Sequence, residues 1–406
     1  MTKFDLLIIG AGPAGSFAAE LLAKGGAKVA LFDGRPEGEP KACGGGVTAK
    51  ALKAWPHLLN AVGRTVTELD LYSPSSKRLH LALDEPFAIY SRIAFDCYLR
   101  DRARDAGAHI ISAKISARKT KRTGDGWRVI GDTGSEWSGS FLVGADGANS
   151  GIAKMLAGPL PPSDMEVAFG YRAPLPANNV APTVVAFLPG WVGYAWSFPR
   201  PDHISFGIAT TQDAFEHEPL DDLLWRFMIG YYEQCDGPRD GKQVKFWDNG
   251  AETSERLRIQ EHLRATAERY AARIPGLAAK TWDSRTVSGA DWALLGDAAG
   301  FADPVTGEGI YYALRSAELF AETYLSGLPQ SYEKRWRDDF GGELRRAAQM
   351  RRRFYGNFWG APFTERMIEF ARGHRGVKRV LGDLVAGEQG YVDLKKKLVK
   401  SAVRFV

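Results

Sequence analysis

Gly10-Ala11-Gly12-Pro13-Ala14-Gly15 places glycines as a backbone needs them when it must lie against a dinucleotide pyrophosphate. Gly10 allows a tight turn, Gly12 clears the path of the phosphates, and Gly15 lets a helix sit close on a strand. Pro13 and Ala14 lie where the turn enters that helix, whose free N–H groups and positive dipole end would face the phosphates. Just over twenty residues past the first glycine, Asp33 offers a carboxylate to adenosine ribose hydroxyls. This pattern alone does not separate FAD from NAD. Further on, Ala145-Asp146-Gly147 closes one apolar run and Gly296-Asp297 closes another. Asp297 can accept from ribityl hydroxyls. After Pro304, the turn Gly307-Glu308-Gly309 would bring backbone up to a flavin ring, and a helix from Ile310 would aim its N-terminal dipole at the pyrimidine side, where reduced flavin is negative. In Lys41-Ala42-Cys43-Gly44-Gly45-Gly46, successive glycines would lie flat against a ring system. Cys43 either donates a proton or hydrogen bond beside a reacting carbon or is a small packed residue in a glycine loop.

These residues need elements to hold them. Residues 4–9 form a short apolar run, as in a buried parallel strand. Residues 14–24 read as a helix with Phe17, Leu21 and Leu22 on its apolar face. Gly26 breaks it, and Ala27–Phe32 is a second strand. Ser91-Arg92-Ile93-Ala94-Phe95-Asp96 is expected to open a helix that continues to about Ala106, and a further helix is expected from Ile310 to about Tyr324. Between residues 160 and 285, Pro/Gly punctuation separates strand-like stretches at Val167–Tyr171, Thr183–Phe187, Gly193–Phe198 and Ile204–Ala209. Helices are expected near 219–234 and 253–271. Along residues 194–198, Tyr194, Trp196 and Phe198 share one strand face and Ala195 and Ser197 the other. Such an aromatic face suits a core strand or the lining of a hydrophobic substrate tunnel.

The expected fold is α/β. A Rossmann-like FAD-binding domain of glutathione-reductase type would be drawn from residues 1–150 plus 285–330. An antiparallel-sheet substrate domain at 151–284 would be inserted in it, covering the flavin and forming the substrate cavity, and 331–406 would form a helical C-terminal region.

Composition sets bounds. The chain has 406 residues, 45% of them apolar and 25% charged, a globular balance that argues against disorder. A net charge of +5 with no long basic block in the first half does not imply nucleic acid, and is compatible with acidic lipid or a phosphorylated ligand. Cys43, Cys97 and Cys235 form no CxxC spacing, so neither a disulfide framework nor a metal site is expected. No signal peptide and no apolar run of about eighteen residues is evident. The expected location is the cytoplasm, or the inner face of a membrane as a peripheral protein.

The glycine turn with Asp33, the Ala145-Asp146-Gly147 segment and the Gly296-Asp297 segment together resemble the FAD fingerprint of the p-hydroxybenzoate-hydroxylase-like flavoproteins. Arg92-Ile93-Ala94-Phe95-Asp96 resembles that family's "R..FD..L" segment, whose arginine approaches FAD; Arg92 takes its place. Cys43-Gly44-Gly45-Gly46 and Tyr194-Ala195-Trp196-Ser197-Phe198-Pro199, followed by Gly207, resemble the geranylgeranyl reductase family over residues 1 to about 325. The resemblance implies saturation of isoprenoid C=C bonds of a prenyl lipid by reduced FAD, with Cys43, Tyr194 and Trp196 at the reacting end and Gly44 and Gly45 beside the flavin. It implies a hydrophobic isoprenoid substrate. The sequence has no second GxGxxG domain for NADPH, which leaves NADPH docking transiently or a reduced ferredoxin as donor. A flavin monooxygenase of the same superfamily and a flavoprotein electron-transfer partner of a ferredoxin are the rival readings. The string 194–199 differs from the Trp-x-Trp-x-Ile-Pro of flavin halogenases.

The tail is basic and helical. Arg345, Arg346 and Arg351 to Arg353 are interleaved with Phe354, Tyr355, Phe358 and Trp359. Over residues 392–406, Leu394, Leu398, Ala402 and Phe405 share a helical face, with Lys396, Lys397, Lys400 and Arg404 opposite. Such a helix either packs on its own domain or rests on an anionic membrane surface.

Overall fold

The computed structural model describes residues 3–36, 38, 41–178, 180–211, 219–236, 245–248, 253–358 and 360–403. Trp359, Arg404 and Phe405 lie outside them. The chain divides into two compact units. The first comprises residues 1–41, 92–165 and 273–348, the second 42–91, 166–272 and 349–406.

The first unit is built on a sheet whose central strand, Lys3–Ile9, lies parallel to Val29–Asp33 on one side and Glu136–Gly144 on the other. His109–Ser112 extends it in parallel beyond Val29–Asp33. Trp292–Leu294 pairs in parallel with the last residues of Glu136–Gly144, and Gly126–Ile130 pairs antiparallel with the first. Leu6, Leu7, Ile8, Leu31, Leu142, Val143 and Leu294 are fully buried, as expected of parallel strands covered on both faces. The helix Pro13–Lys24 starts at the proline, packs against the helices Arg92–Asp105 and Ile310–Leu325, and buries Phe17 and Leu22. The expected second strand runs from Val29 to Asp33, two residues later than Ala27.

The second unit is an eight-stranded sheet. Met165–Ala173, Ile204–Thr211, Gly193–Pro199 and Val184–Phe187 are joined antiparallel in that order. Val184–Phe187 then pairs in parallel with Gly63–Tyr72, so the sheet is mixed rather than purely antiparallel. Gly63–Tyr72 forms a long hairpin with Arg78–Tyr90. This hairpin comes from residues ahead of 151, and its strands carry many polar, outward-facing residues that hide their period. The helix Leu220–Asp236 covers one sheet face, where Phe206, Phe227, Tyr231 and Phe246 form an aromatic core.

The helix expected over 253–271 ends at Thr266, and Glu268–Pro275 forms the edge strand beside Met165–Ala173. Tyr270 decides this: in a strand its ring turns inward while Arg269 and Ala271 turn out. In the tail, Leu394–Val403 is a helix packed on the helix Arg375–Val385, with Leu394 buried and Lys395, Lys396, Lys397 and Lys400 exposed. Among the described residues no helix is long and apolar enough to cross a membrane.

Candidate functional site

Register brings the distant segments of the first unit together. Ile9 lies beside Phe32 and Gly144, and Gly144 lies beside Leu294. The residues that follow leave one carboxyl edge side by side: Gly10 N donates to Phe32 O (3.0 Å), Ala145 N to Ile9 O (2.8 Å) and Leu295 N to Gly144 O (2.9 Å). The carboxyl edge of a parallel sheet is where α/β folds bind nucleotides.

The glycines there are demanded by space. Gly10 has φ +107°, and a Cβ on it would lie 2.3 Å from Ala145 O. A Cβ on Gly15 would lie 1.9 Å from Gly10 O, so the helix can pack this closely only without one. Among the described residues the space around Gly12 is open: apart from its chain neighbours, a Cβ would meet only Lys41 Nζ, at 3.7 Å. Gly296 (φ +54°) is pressed between Ala14 of one helix and Ala313 of another. Two helix N-termini are bare. Pro13–Lys24 and Ile310–Leu325 have neither a side-chain cap nor an acidic residue in the first turn, which leaves their N–H groups and positive dipole ends for an anionic ligand.

Asp303 shapes the approach to the second of these helices. Its carboxylate accepts from Val305 N (2.7 Å) and Thr306 N (3.1 Å), and its carbonyl accepts from Gly307 N (2.8 Å). Pro304 is buried within this turn, Gly307 has φ +69°, and Gly309 caps Ile310.

A charge cluster borders the edge. Arg92 and Asp96 are both buried and form a bidentate pair at 2.7–3.0 Å, with Arg35 adding a bond to Asp96 at 3.2 Å. Burial pushes the Asp96 carboxyl up, but the charges of Arg92, Lys41 and Arg35 outweigh it and hold the pKa below the usual carboxylate range. Asp33 is bonded by Arg35 N (3.1 Å) and by the Arg100 guanidinium. Burial raises the pKa of Asp297, against the pull of Lys41 and Arg92. Asp146 is turned into its own chain: it accepts from Ser150 Oγ, Gly151 N (2.9 Å) and Ile152 N (3.2 Å), tying down the start of the helix Gly151–Ala157. Gly147 beside it has φ +81° and open space about it.

In the second unit, the strand Gly193–Pro199 sorts its two faces. Ala195 and Ser197 are fully buried, and Ala195 lies in the core beneath Leu220–Asp236. Tyr194, Trp196 and Phe198 form a continuous row on the other face, with ring centroids 5.9 and 6.3 Å apart. Gly207 is the register partner of Trp196, and a Cβ on it would lie 2.0 Å from the indole, so the glycine lets the ring lie across the neighbouring strand. The glycine loop rests on this row. A Cβ on Gly44 would come within 3.1 Å of Phe198 and 3.2 Å of Trp196 Nε1. Gly45 has φ +81°, and a Cβ on it would lie 2.3 Å from Tyr90 O.

Cys43 is half-buried, and its Sγ accepts from Gly45 N at 3.3 Å. Arg200, buried, donates through Nη2 to the carbonyls of Cys43 (2.8 Å) and Gly44 (3.1 Å). Its neighbour His203 has a lowered pKa: burial, with the charge of Arg200, outweighs the opposing bond to Asp202. The Tyr270 hydroxyl donates to Phe206 O (2.7 Å) and is bonded to Ser205 Oγ (2.8 Å); burial pushes its pKa up to about 12. Sequence reading singled out neither Arg200 nor Tyr270. Arg200 directly follows the aromatic motif, but nothing in the sequence shows that it reaches residue 43.

The Cys43, Tyr194, Trp196, Gly44 and Gly45 set is thus gathered in one unit. The Gly10–Gly15 turn, Asp33, Arg92, Asp146, Gly147, Gly296, Asp297, Pro304, Gly307, Gly309 and Ile310 belong to the other. The first unit's residues fit a dinucleotide: an open cradle at Gly12, two uncapped helix ends, and carboxylates at Asp33 and Asp297 for hydroxyl groups. Among the described residues no cluster of His, Cys, Asp and Glu could hold a metal.

Residues 3–172 match the model of the FAD binding domain family. The chain is 29% identical over 348 residues to the chloroplastic geranylgeranyl diphosphate reductase of Oryza sativa subsp. japonica, covering 80% of this chain and 67% of that one. It is 28% identical over 380 residues to the digeranylgeranylglycerophospholipid reductase of Methanosarcina mazei, covering 84% and 82%. The fold is shared with a geranylgeranyl bacteriochlorophyll reductase-like protein of Thermoplasma acidophilum, at a TM-score of 0.71, 22% identity, and coverage of 99% and 100%.

Two outcomes follow from the geometry. Gly15→Ala pushes the helix off Gly10, and the purified variant carries markedly less flavin per chain, read from the ratio of flavin to protein absorbance; full occupancy would refute the packing argument. Arg200→Met releases the carbonyls of Cys43 and Gly44, and iodoacetamide labels Cys43 several-fold faster, read peptide by peptide with buried Cys235 as the internal reference.

Proposed function

We propose that this chain, an FAD-binding relative of the geranylgeranyl reductases, is an FAD-dependent oxidoreductase that saturates isoprenoid C=C bonds of a prenyl lipid or prenylated compound. The kinship over four-fifths of the chain with proteins named for this reduction carries the reading. The glycine loop and the aromatic row support it from within the chain.

In this reading the first unit is a dinucleotide fold of glutathione-reductase type. Gly10, Gly12, Pro13, Ala14 and Gly15 take the diphosphate, and Asp33 takes the adenosine ribose. Asp297 takes the ribityl hydroxyls, and the turn Pro304–Gly309 with the helix from Ile310 takes the ring. Arg92 acts through its pair with Asp96, and Asp146 and Gly147 shape the rim. When bound, reduced FAD supplies hydride to one alkene carbon.

The chain's own residues do the rest. Tyr194, Trp196 and Phe198 offer a dry, apolar face on which a prenyl chain can lie, holding the alkene in place and excluding water. Cys43 is the proton donor to the second carbon: its Sγ already accepts from Gly45 N, a bond that stabilises the thiolate left behind. Arg200 fixes the loop that presents it. The electron donor is NADPH or a reduced ferredoxin. The exposed lysines of Leu394–Val403 favour a peripheral seat on an anionic membrane, where a prenyl lipid resides.

The test is anaerobic. Protein reduced with dithionite is given geranylgeranyl diphosphate and other polyprenyl lipids, flavin reoxidation is followed, and the lipid is weighed by mass spectrometry. The expected result is reoxidation without oxygen and a gain of about two mass units per bond reduced. Flavin that stays reduced with every prenyl lipid, and reoxidises only with oxygen and another substrate, would replace this reading with a monooxygenase.

A further inference from the structure

We propose that the ammonium of Lys41 is the side-chain counter-charge of the dinucleotide's diphosphate, acting beside the backbone N–H groups of the glycine turn. The inference rests on the FAD reading above and adds a residue to it that neither the glycine pattern nor the strand-end aspartates call for.

Position is the first support. Among the described residues, and apart from its chain neighbours, a Cβ built on Gly12 would meet only Lys41 Nζ within 4 Å, at 3.7 Å. The ammonium therefore stands over the open side of the middle glycine, the one whose missing side chain clears the way for phosphate. The bare N-terminus of Pro13–Lys24 opens at the same turn, so backbone N–H groups and an ammonium converge on one space.

The second support is the state of its neighbours. Asp96 is taken up by a bidentate bond from Arg92 and another bond from Arg35. Asp297, the other acid acting on Lys41, has its carboxyl pKa raised by burial, against the pull of Lys41 and Arg92. Among the described residues, Lys41 Nζ itself makes no hydrogen bond or ion pair. An ammonium facing a bare helix end and the charges of Arg92 and Arg35, opposed only in part by Asp96 and Asp297, costs free energy. A ligand with two negative charges removes that cost, whereas a neutral one does not.

The third support is electrostatic. The groups acting on Lys41 are Arg92 and Asp96 from the helix Arg92–Asp105, Asp297 from the turn after Trp292–Leu294, and Arg35 from the turn after Val29–Asp33. The charge of Arg92, and then burial, lower its pKa; Asp96 and Asp297 only partly oppose them. A diphosphate favours the ammonium and raises that pKa again. Binding therefore takes up a proton between the two values, and affinity falls as pH rises through the lowered one.

The experiment compares FAD with riboflavin, which lacks the diphosphate and its adenosine. Apoprotein is titrated with each, and affinity is read from quenching of flavin fluorescence, without turnover. Lys41→Met should weaken FAD by about tenfold or more and leave riboflavin unchanged, while Lys41→Arg keeps most of the FAD affinity. FAD affinity in Lys41→Met within about twofold of wild type, or an equal loss for both ligands, overturns the proposal. If the Met variant does not fold, the wild-type pH profile decides: the FAD-to-riboflavin affinity ratio falls on the alkaline side, and a ratio flat to about pH 10 overturns it. Wild-type apoprotein that takes up neither flavin sinks the FAD reading itself, an outcome distinct from a wild type that binds FAD regardless of Lys41.

Discussion

The first unit depends on the register of four parallel strands. Because Ile9, Phe32, Gly144 and Leu294 end level with one another, residues separated by almost three hundred positions leave the sheet at one edge. A slip of one residue in any ladder would turn that strand's buried side chains to its other face and carry its turn out of line. Full burial of Leu7, Ile8, Leu142 and Leu294 makes such a slip costly. The hydrophobic pattern that stabilises the sheet thus also sets the position of Gly10, Asp33 and Asp297.

Small residues serve the same end in both units, by letting large groups come close. Gly15 lets a helix rest against Gly10 O, and Gly296 fits between Ala14 and Ala313. In the second unit Gly207 admits the Trp196 indole and Gly170 the Tyr270 ring. The strand Gly193–Pro199 therefore packs a helix-covered core on one face and an aromatic row on the other. Its aromatic face carries the loop of Cys43 instead of a helix, with Trp196 buried beneath Gly44.

Charge is arranged with equal economy. Asp146 and Asp303 stand in motifs where a carboxylate could meet a cofactor, yet each bonds to backbone N–H groups of its own turn. Their contribution is to hold glycines and helix starts in place. Asp297 accepts no such bond among those described and keeps a raised pKa, as a half-buried acceptor with capacity for a ligand's hydroxyl would.

The sequence by itself determined what local spacing can encode. The strand–turn–helix at residues 3–24, the helix starts at Arg92 and Ile310 and the alternation along 194–198 all rest on periods of two or 3.6 residues, or on glycines whose backbone demands are local. The end of the helix at Thr266 was not legible, because residues 268–271 become a strand only when Met165–Ala173 offers a ladder. Nor was the hairpin of residues 63–90, whose exposed polar residues blur its period. Arg200 reaching residue 43, Arg35 joining Asp96 and Lys41 standing over Gly12 belong to tertiary structure alone. Each is a meeting of side chains far apart in sequence, and no periodicity records where a flexible, charged side chain comes to rest once the backbone has folded.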